Sequence, residues 1–262
     1  MPYFHSNGAH LYYESTGSGP PLMFLHPPAM GAAAFYTQRE ELSDQFQVIT
    51  FDARGHGKSG DGGKNDLLIA EWAEDMAALA DHLGVNQIIP CGYSSGANPA
   101  LEFAISYPDR TAGLILISGY PEVSTNILDK QIKIGIWGMK KDLRGMLAKW
   151  LAVSHTGNKK HQRFIEKTAK ASNPVLLKNL YANSLYYQCT EQLPKIKCPV
   201  AAIYGANDYY IHYYQYVFYK YVRNIQLIHI QDIAHQIPTK KPKELHGIIR
   251  SFVAQHHLSS IT

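Results

Sequence analysis

The sequence predicts an α/β protein built on a mostly parallel sheet, with helices on both faces and a helical segment inserted late in the sheet. Three observations predict it. Short apolar runs at residues 48–51, 88–91, 114–118 and 200–204 are bounded by turn residues, the pattern of strands buried on both faces. Helical patterns separate these runs, and strand–helix alternation is the signature of parallel pairing with crossovers. Between residues 122 and about 190 the alternation stops and only helical spacing is found; it resumes at Pro199.

Taken in order, Asn7-Gly8 lies between runs rich in Tyr and Phe and reads as a two-residue hairpin turn. Residues 22–25 make the next strand, so the N-terminal edge of the sheet is expected to be antiparallel. Residues 66–83 carry Leu68, Ile69, Trp72, Ala73, Met76, Leu79, Ala80 and Leu83 at helical spacing, with Gly84 placed as a C-terminal cap. Residues 97–107 form a second helix, stopped at Pro108. In the inserted segment Leu143, Leu147, Trp150 and Leu151 share a helix face, and residues 163–171 and 175–187 read as two further helices. A strand at 226–230 and a helix at 243–255 close the chain. The expected division is a core domain of residues 1–120 and 191–262 with a helical cap subdomain of residues 121–190.

Composition bounds the function classes. The 262 residues, 45% of them hydrophobic, are enough for one sizeable core. Residues 119–190 hold 12 Lys and Arg against 4 Asp and Glu, whereas the remainder holds 13 against 17. The basic segment is read as the solvated faces of amphipathic helices, with steering of an anionic substrate or partner as the sharper alternative. No zinc-finger spacing or RNA-binding signature is present, so no nucleic-acid partner is expected. No basic start followed by an apolar run opens the chain, and no apolar stretch is long enough to span a membrane. Cys91, Cys189 and Cys198 are an odd number without metal spacing, so they are read as reduced, buried thiols in a cytoplasmic protein.

The chemistry is expected at Gly92-Tyr93-Ser94-Ser95-Gly96, which directly follows an apolar strand and directly precedes a helix. A serine on so tight a turn is lifted above the sheet edge, and the flanking glycines leave room for the cramped backbone. A hydroxyl needs a base to become a nucleophile. Asp208 lies just past the C-terminal end of a strand, where catalytic groups gather in open α/β sheets. His235 follows the strand at 226–230 in a loop able to lay its ring over the turn, as general base and acid. Asp232 is the next acidic candidate. His56, in Arg54-Gly55-His56-Gly57, is read as structural, with Asp52 and Arg54 tying loops together.

Gly92–Gly96, residues 51–59, residues 204–208 and Ala234-His235 together resemble the α/β-hydrolase superfamily, most closely its small bacterial esterases, lactonases and cofactor-free haloperoxidases. The likeness covers nearly the whole chain and is weakest at 122–190. It implies an eight-stranded α/β-hydrolase fold, a catalytic Ser94–His235–Asp208 triad, no metal or organic cofactor, and hydrolysis of a carboxylic ester or lactone. A cofactor-free haloperoxidase or perhydrolase, a carbon–carbon bond hydrolase, and a weakly catalytic binding or signalling protein stand as alternatives. The resemblance further implies an oxyanion hole made by the backbone N–H of Ser95 and a second donor after the third strand. There the sequence departs from the pattern: Leu25-His26-Pro27-Pro28-Ala29 puts a proline, which has no N–H, in the donor position. Ala29 is the expected replacement, with a half-built hole as the other outcome. His26, Tyr93, Trp137 and Trp150 are expected to bind the substrate, a small-molecule ester or lactone, in a monomer or homodimer.

Overall fold

A computed structural model describes residues 2–261. Eight strands form one sheet in the order β1-β2-β4-β3-β5-β6-β7-β8. β1 (Tyr3–Ser6) and β2 (Ala9–Thr16) form an antiparallel hairpin, and β2 runs antiparallel to β4 (Gln47–Phe51). The hairpin turns on Asn7 (φ 42°) and Gly8 (φ 81°), the two successive positive φ values that a tight hairpin turn requires. β3 (Pro21–Leu25), β4, β5 (Ile89–Tyr93), β6 (Leu114–Ile117), β7 (Val200–Gly205) and β8 (Ile225–Ile230) pair in parallel.

Because side chains alternate along a strand, the parallel strands feed two separate cores. Leu22 and Phe24 of β3 face one side with Phe35, Leu245 and Phe252. Met23 and Leu25 face the other with Trp72, Leu101 and Phe103. α1 (Tyr36–Leu42) and α10 (Pro242–Gln255) therefore cover the first face, and α2 (Ile69–His82), α3 (Ala97–Ser106) and α8 (His212–Tyr221) cover the second. α9 (Ile237–Lys240) is a single turn leading into α10.

Four helices lie between β6 and β7: α4 (Asn126–Lys140), α5 (Arg144–His155), α6 (Lys159–Ala171) and α7 (Pro174–Tyr186). Asn158 and Asn173 set the starts of the last two, accepting the Lys160 and Val175 N–H groups at 2.9 and 3.0 Å. These caps place the start of α6 four residues earlier than the apolar spacing alone, which begins at 163. α2 begins later than its apolar pattern, at Ile69 rather than Asp66. Leu68 is the N-cap, its N–H accepted by Glu71 at 3.0 Å, while Asp66 Oδ1 accepts the Leu67 N–H and the Asn183 side chain at 2.9 and 2.7 Å.

The thiols of Cys91 and Cys189 are buried, but Cys198 is half-buried, a correction to the expectation for all three, because the loop before β7 leaves one side of it to solvent. No helix among the described residues is long and apolar enough to cross a membrane.

Asp52 and Arg54 fasten the loop after β4. Asp52 accepts the N–H of Ala32 at 2.8 Å and of Lys58 at 3.0 Å. Arg54 is wholly buried; its Nε and Nη2 donate to both carboxylate oxygens of Asp75 on α2 at 2.9 and 2.7 Å, and Nη2 also reaches the Ser6 carbonyl. The fork ties the hairpin, the loop and α2 at one point. Arg54→Met leaves the Asp75 charge buried without a partner and is expected to cost about 3–5 kcal/mol. Chemical denaturation reads this directly, and a loss under about 1 kcal/mol would show that the pair is dispensable.

Candidate active site

β5 ends at Tyr93 and the chain turns at once into a single 3-10 turn and α3. Ser94, at the crest, has φ 55°, a left-handed conformation costing a non-glycine residue roughly 1–2 kcal/mol. The residues two positions away on either side are glycines for steric reasons. A Cβ on Gly92 would lie 2.6 Å from Ala97 Cα, and one on Gly96 would lie 2.1 Å from the Leu25 carbonyl oxygen. The turn is thus wedged between α3 and β3, and the Ser94 hydroxyl points away from both.

Asp208 is carried on the turn after β7, its N–H bonded to the Gly205 carbonyl at 3.0 Å and its side chain fully buried. His235 is carried on the loop after β8. The two loops are clamped by Ala206 N–H to Ile230 O and Asn207 N–H to Ile233 O, both 2.9 Å. Gly205 makes this possible, since a Cβ there would meet the Ala234 carbonyl oxygen at 2.1 Å. His235 Nδ1 lies 2.9 Å from Asp208 Oδ2, and His235 Nε2 lies 2.8 Å from Ser94 Oγ. An ionised carboxylate only accepts, so Nδ1 carries the proton and Nε2 is left to accept from the Ser94 hydroxyl. The arrangement can take a proton from Ser94 and hold it on an imidazolium whose other nitrogen faces a carboxylate.

Above Ser94 lies a cavity of about 570 Å³ between the sheet edge and the helices α4, α5 and α7. Tyr93, Trp137 and Trp150 border it. Tyr93 is fully buried, while the two tryptophans, on α4 and α5, are more than half exposed and form its rim. Among the described residues, no Lys, Arg, Asp or Glu borders it. The cations of the basic segment lie elsewhere, so the steering of an anion into the cavity finds no support in its walls.

His26 does not reach this cavity, which corrects the expectation that it binds substrate. It is wholly buried, its Nδ1–H donates to the Pro27 carbonyl at 2.9 Å, and its Nε2 accepts from Ala53 N–H at 3.0 Å. Both nitrogens are spent on loops, and burial lowers its pKa to about 4, so the ring is neutral. His56 is likewise buried and lowered to about 3 by desolvation, first of all, and by the neighbouring His26. Ser95 borders the cavity beside Ser94. Ala29 does not: Pro27, Pro28 and Met30 do, and Ala29 is buried in a left-handed turn (φ 71°) whose Met30 N–H is bonded to Pro27 O. Asp232 is exposed in a turn and takes no part.

The Tyr93 ring, expected at the site, flanks His235 with its centroid 5.4 Å away; the Tyr210 ring at the same distance, and His155, were not legible from the sequence. His155 of α5 donates through Nδ1–H to Leu151 O, leaving Nε2 to accept from the Tyr93 hydroxyl at 3.4 Å. Burial lowers its pKa to about 4 and keeps it neutral. Its only sequence signal is a place on the apolar face of α5.

Comparison with known proteins agrees with this architecture. Residues 20–187 match the family model described as the alpha/beta hydrolase fold. The chain is 26% identical over 212 residues to a pimeloyl-[acyl-carrier protein] methyl ester esterase of Nitrosomonas europaea, covering 76% of this chain and 82% of that protein. It is 34% identical over 119 residues to a 2-(acetamidomethylene)succinate hydrolase of Mesorhizobium japonicum, covering 45% of this chain and 42% of that protein, so this second match spans less than half of either. A carboxylesterase structure from Nitrososphaera gargenis superposes with a TM-score of 0.86 over 98% of this chain and 99% of that one, at 21% identity, a likeness of fold. With the family model matching well over half of its length and the strand order of that fold, this chain belongs to the alpha/beta hydrolase fold family.

Proposed function

We propose that the protein is a serine hydrolase that cleaves carboxylic esters or lactones through an acyl-enzyme. The observation that carries the reading is the hydrogen-bonded line from Asp208 through His235 to Ser94, at 2.9 and 2.8 Å. His235 Nε2 takes the Ser94 proton as Oγ attacks the carbonyl carbon, and Asp208 stabilises the imidazolium. The alcohol leaves with that proton. Water, activated by the same imidazole, then hydrolyses the acyl-serine. The helices at residues 121–190 act as a cap over the core of residues 1–120 and 191–262, with Trp137 and Trp150 at the entrance. The esterase and hydrolase names among the relatives support the reaction class.

The tetrahedral oxyanion needs backbone donors. The Ser95 N–H is placed at the start of the turn into α3, where the helix end also favours negative charge. Pro28 has no N–H, and Ala29 is set back from the cavity, so the hole is half-built. Lacking one donor costs on the order of 10²–10³ in kcat, which makes this a slow esterase.

Ser94→Ala is expected to abolish p-nitrophenyl ester hydrolysis and fluorophosphonate labelling with an unchanged circular dichroism spectrum; retained turnover would remove Ser94 as nucleophile. Asp208→Asn, which leaves the imidazole free to take the wrong tautomer, should lower kcat by about 10³–10⁴. A loss of less than about tenfold would show that Asp208 only shapes the loop. Pro28→Gly supplies an N–H, and kcat on p-nitrophenyl acetate is expected to rise about tenfold with little change in KM. An unaltered kcat would assign the second donor to Ala29.

A further inference from the structure

One wall of the cavity carries polar chemistry that proton transfer at Ser94 does not use. Ser184, in the last turn of α7, borders the cavity, is 2% exposed, and its hydroxyl has no partner among the described residues. A helical serine ordinarily satisfies itself on the carbonyl one turn back; this one does not, and an unpaired buried hydroxyl is costly. Unlike the other unpaired buried hydroxyls, on Thr50 and Ser118, this one borders the cavity, where an entering ligand can supply the partner.

The partner's chemistry follows from the surroundings. Glu122 and Gln188 pair antiparallel, so α4 and α7, which follow and precede them, run antiparallel. The seam is set by Gly135, where an added Cβ would lie 2.9 Å from the Tyr181 ring. In that register Gln131, one turn before Gly135, lies across from Ser184, one turn after Tyr181. Gln131 also borders the cavity, as an exposed residue at its mouth whose carboxamide is open to solvent and to an entering ligand. A buried unpaired hydroxyl and a carboxamide at the mouth thus border one space. The opposite wall, on α5, is apolar, with Leu147, Trp150 and Leu151. Among the described residues, no charged side chain borders the cavity, and its second histidine is held neutral. An ionic ligand group here would lose its water with no countercharge.

We propose that Ser184 and Gln131 form a subsite for a neutral secondary amide at the far end of an otherwise apolar substrate. The Ser184 hydroxyl donates to the amide carbonyl, and Gln131 Oε1 accepts the amide N–H. The proposal rests on the acyl-transfer reading for which part of the ligand is cleaved, and it names the substrate class as uncharged.

Binding of non-hydrolysable ketones tests the subsite without turnover. The probes are a homologous series of alkyl methyl ketones and their ω-acetamido and ω-carboxylate counterparts. Quenching of Trp137 and Trp150 reports occupancy, since the third tryptophan, Trp72, is buried in the core away from the cavity. At the matching chain length the acetamido ketone is expected to bind about fivefold more tightly than the alkyl ketone, and the carboxylate about tenfold more weakly than the acetamido ketone. Ser184→Ala should bring the acetamido ketone down to the alkyl level and leave the alkyl ketone unchanged, which also shows that the variant is folded. Equal weakening of both series by Ser184→Ala, or tightest binding by the carboxylate, overturns the proposal. Selective acetamido binding without ester turnover in the wild type would count against the acyl-transfer reading alone and leave the subsite standing.

Discussion

The site depends on one close approach, the backbone of residues 233–234 lying directly on Gly205. Asp208 and His235 belong to different strand–loop units, and their side chains meet only because the backbones of the two loops are held together. Two backbone hydrogen bonds clamp them, and the absence of a Cβ at position 205 lets the Ala234 carbonyl come within a distance that no other residue permits. The carboxylate-to-imidazole contact is a consequence of that packing. So is the direction of Nε2, which must point back across the sheet edge toward the turn after β5.

The same logic of steric permission recurs at the turn itself. Gly92 and Gly96 are fixed by the nearness of α3 and β3, and Ser94, between them at the crest of the turn, takes a left-handed conformation. The strain is held by the stiffest part of the molecule, strands buried on both faces. The loop after β3, by contrast, is stiffened by two prolines and pinned through Asp52 and His26, whose polar groups are committed to backbone. The two loops that meet beside Ser94 are thus both held by backbone contacts, one through glycines and the other through prolines.

Charge and cavity part company in this molecule. The helices between β6 and β7 hold most of the excess Lys and Arg, yet their cavity-facing sides are apolar or neutral. That is the expected behaviour of amphipathic helices: the charged face stays in water and the other packs. What distinguishes the inner face is a buried hydroxyl, Ser184 of α7, left without a partner among the described residues.

The sequence by itself determined the elements that follow from periodicity and local sterics: the hairpin at Asn7-Gly8, the doubly buried strands, the stop at Pro108, the turn at Gly92–Gly96, and the positions of Ser94, Asp208 and His235 at strand ends. These are local facts, written in alternation, in glycine placement and in chain order. Helix starts were less legible where a capping side chain acts from outside the apolar pattern, as at Asn158, or is taken by a distant partner, as at Asp66. Only the tertiary structure decided that His26 is spent inside the core while His155, on an inserted helix, borders the cavity. It alone decided that Ser184 and Gln131, on different helices, border one cavity. Contacts between elements far apart in sequence depend on how helices seat on one another, and no residue spacing along a single chain encodes that register.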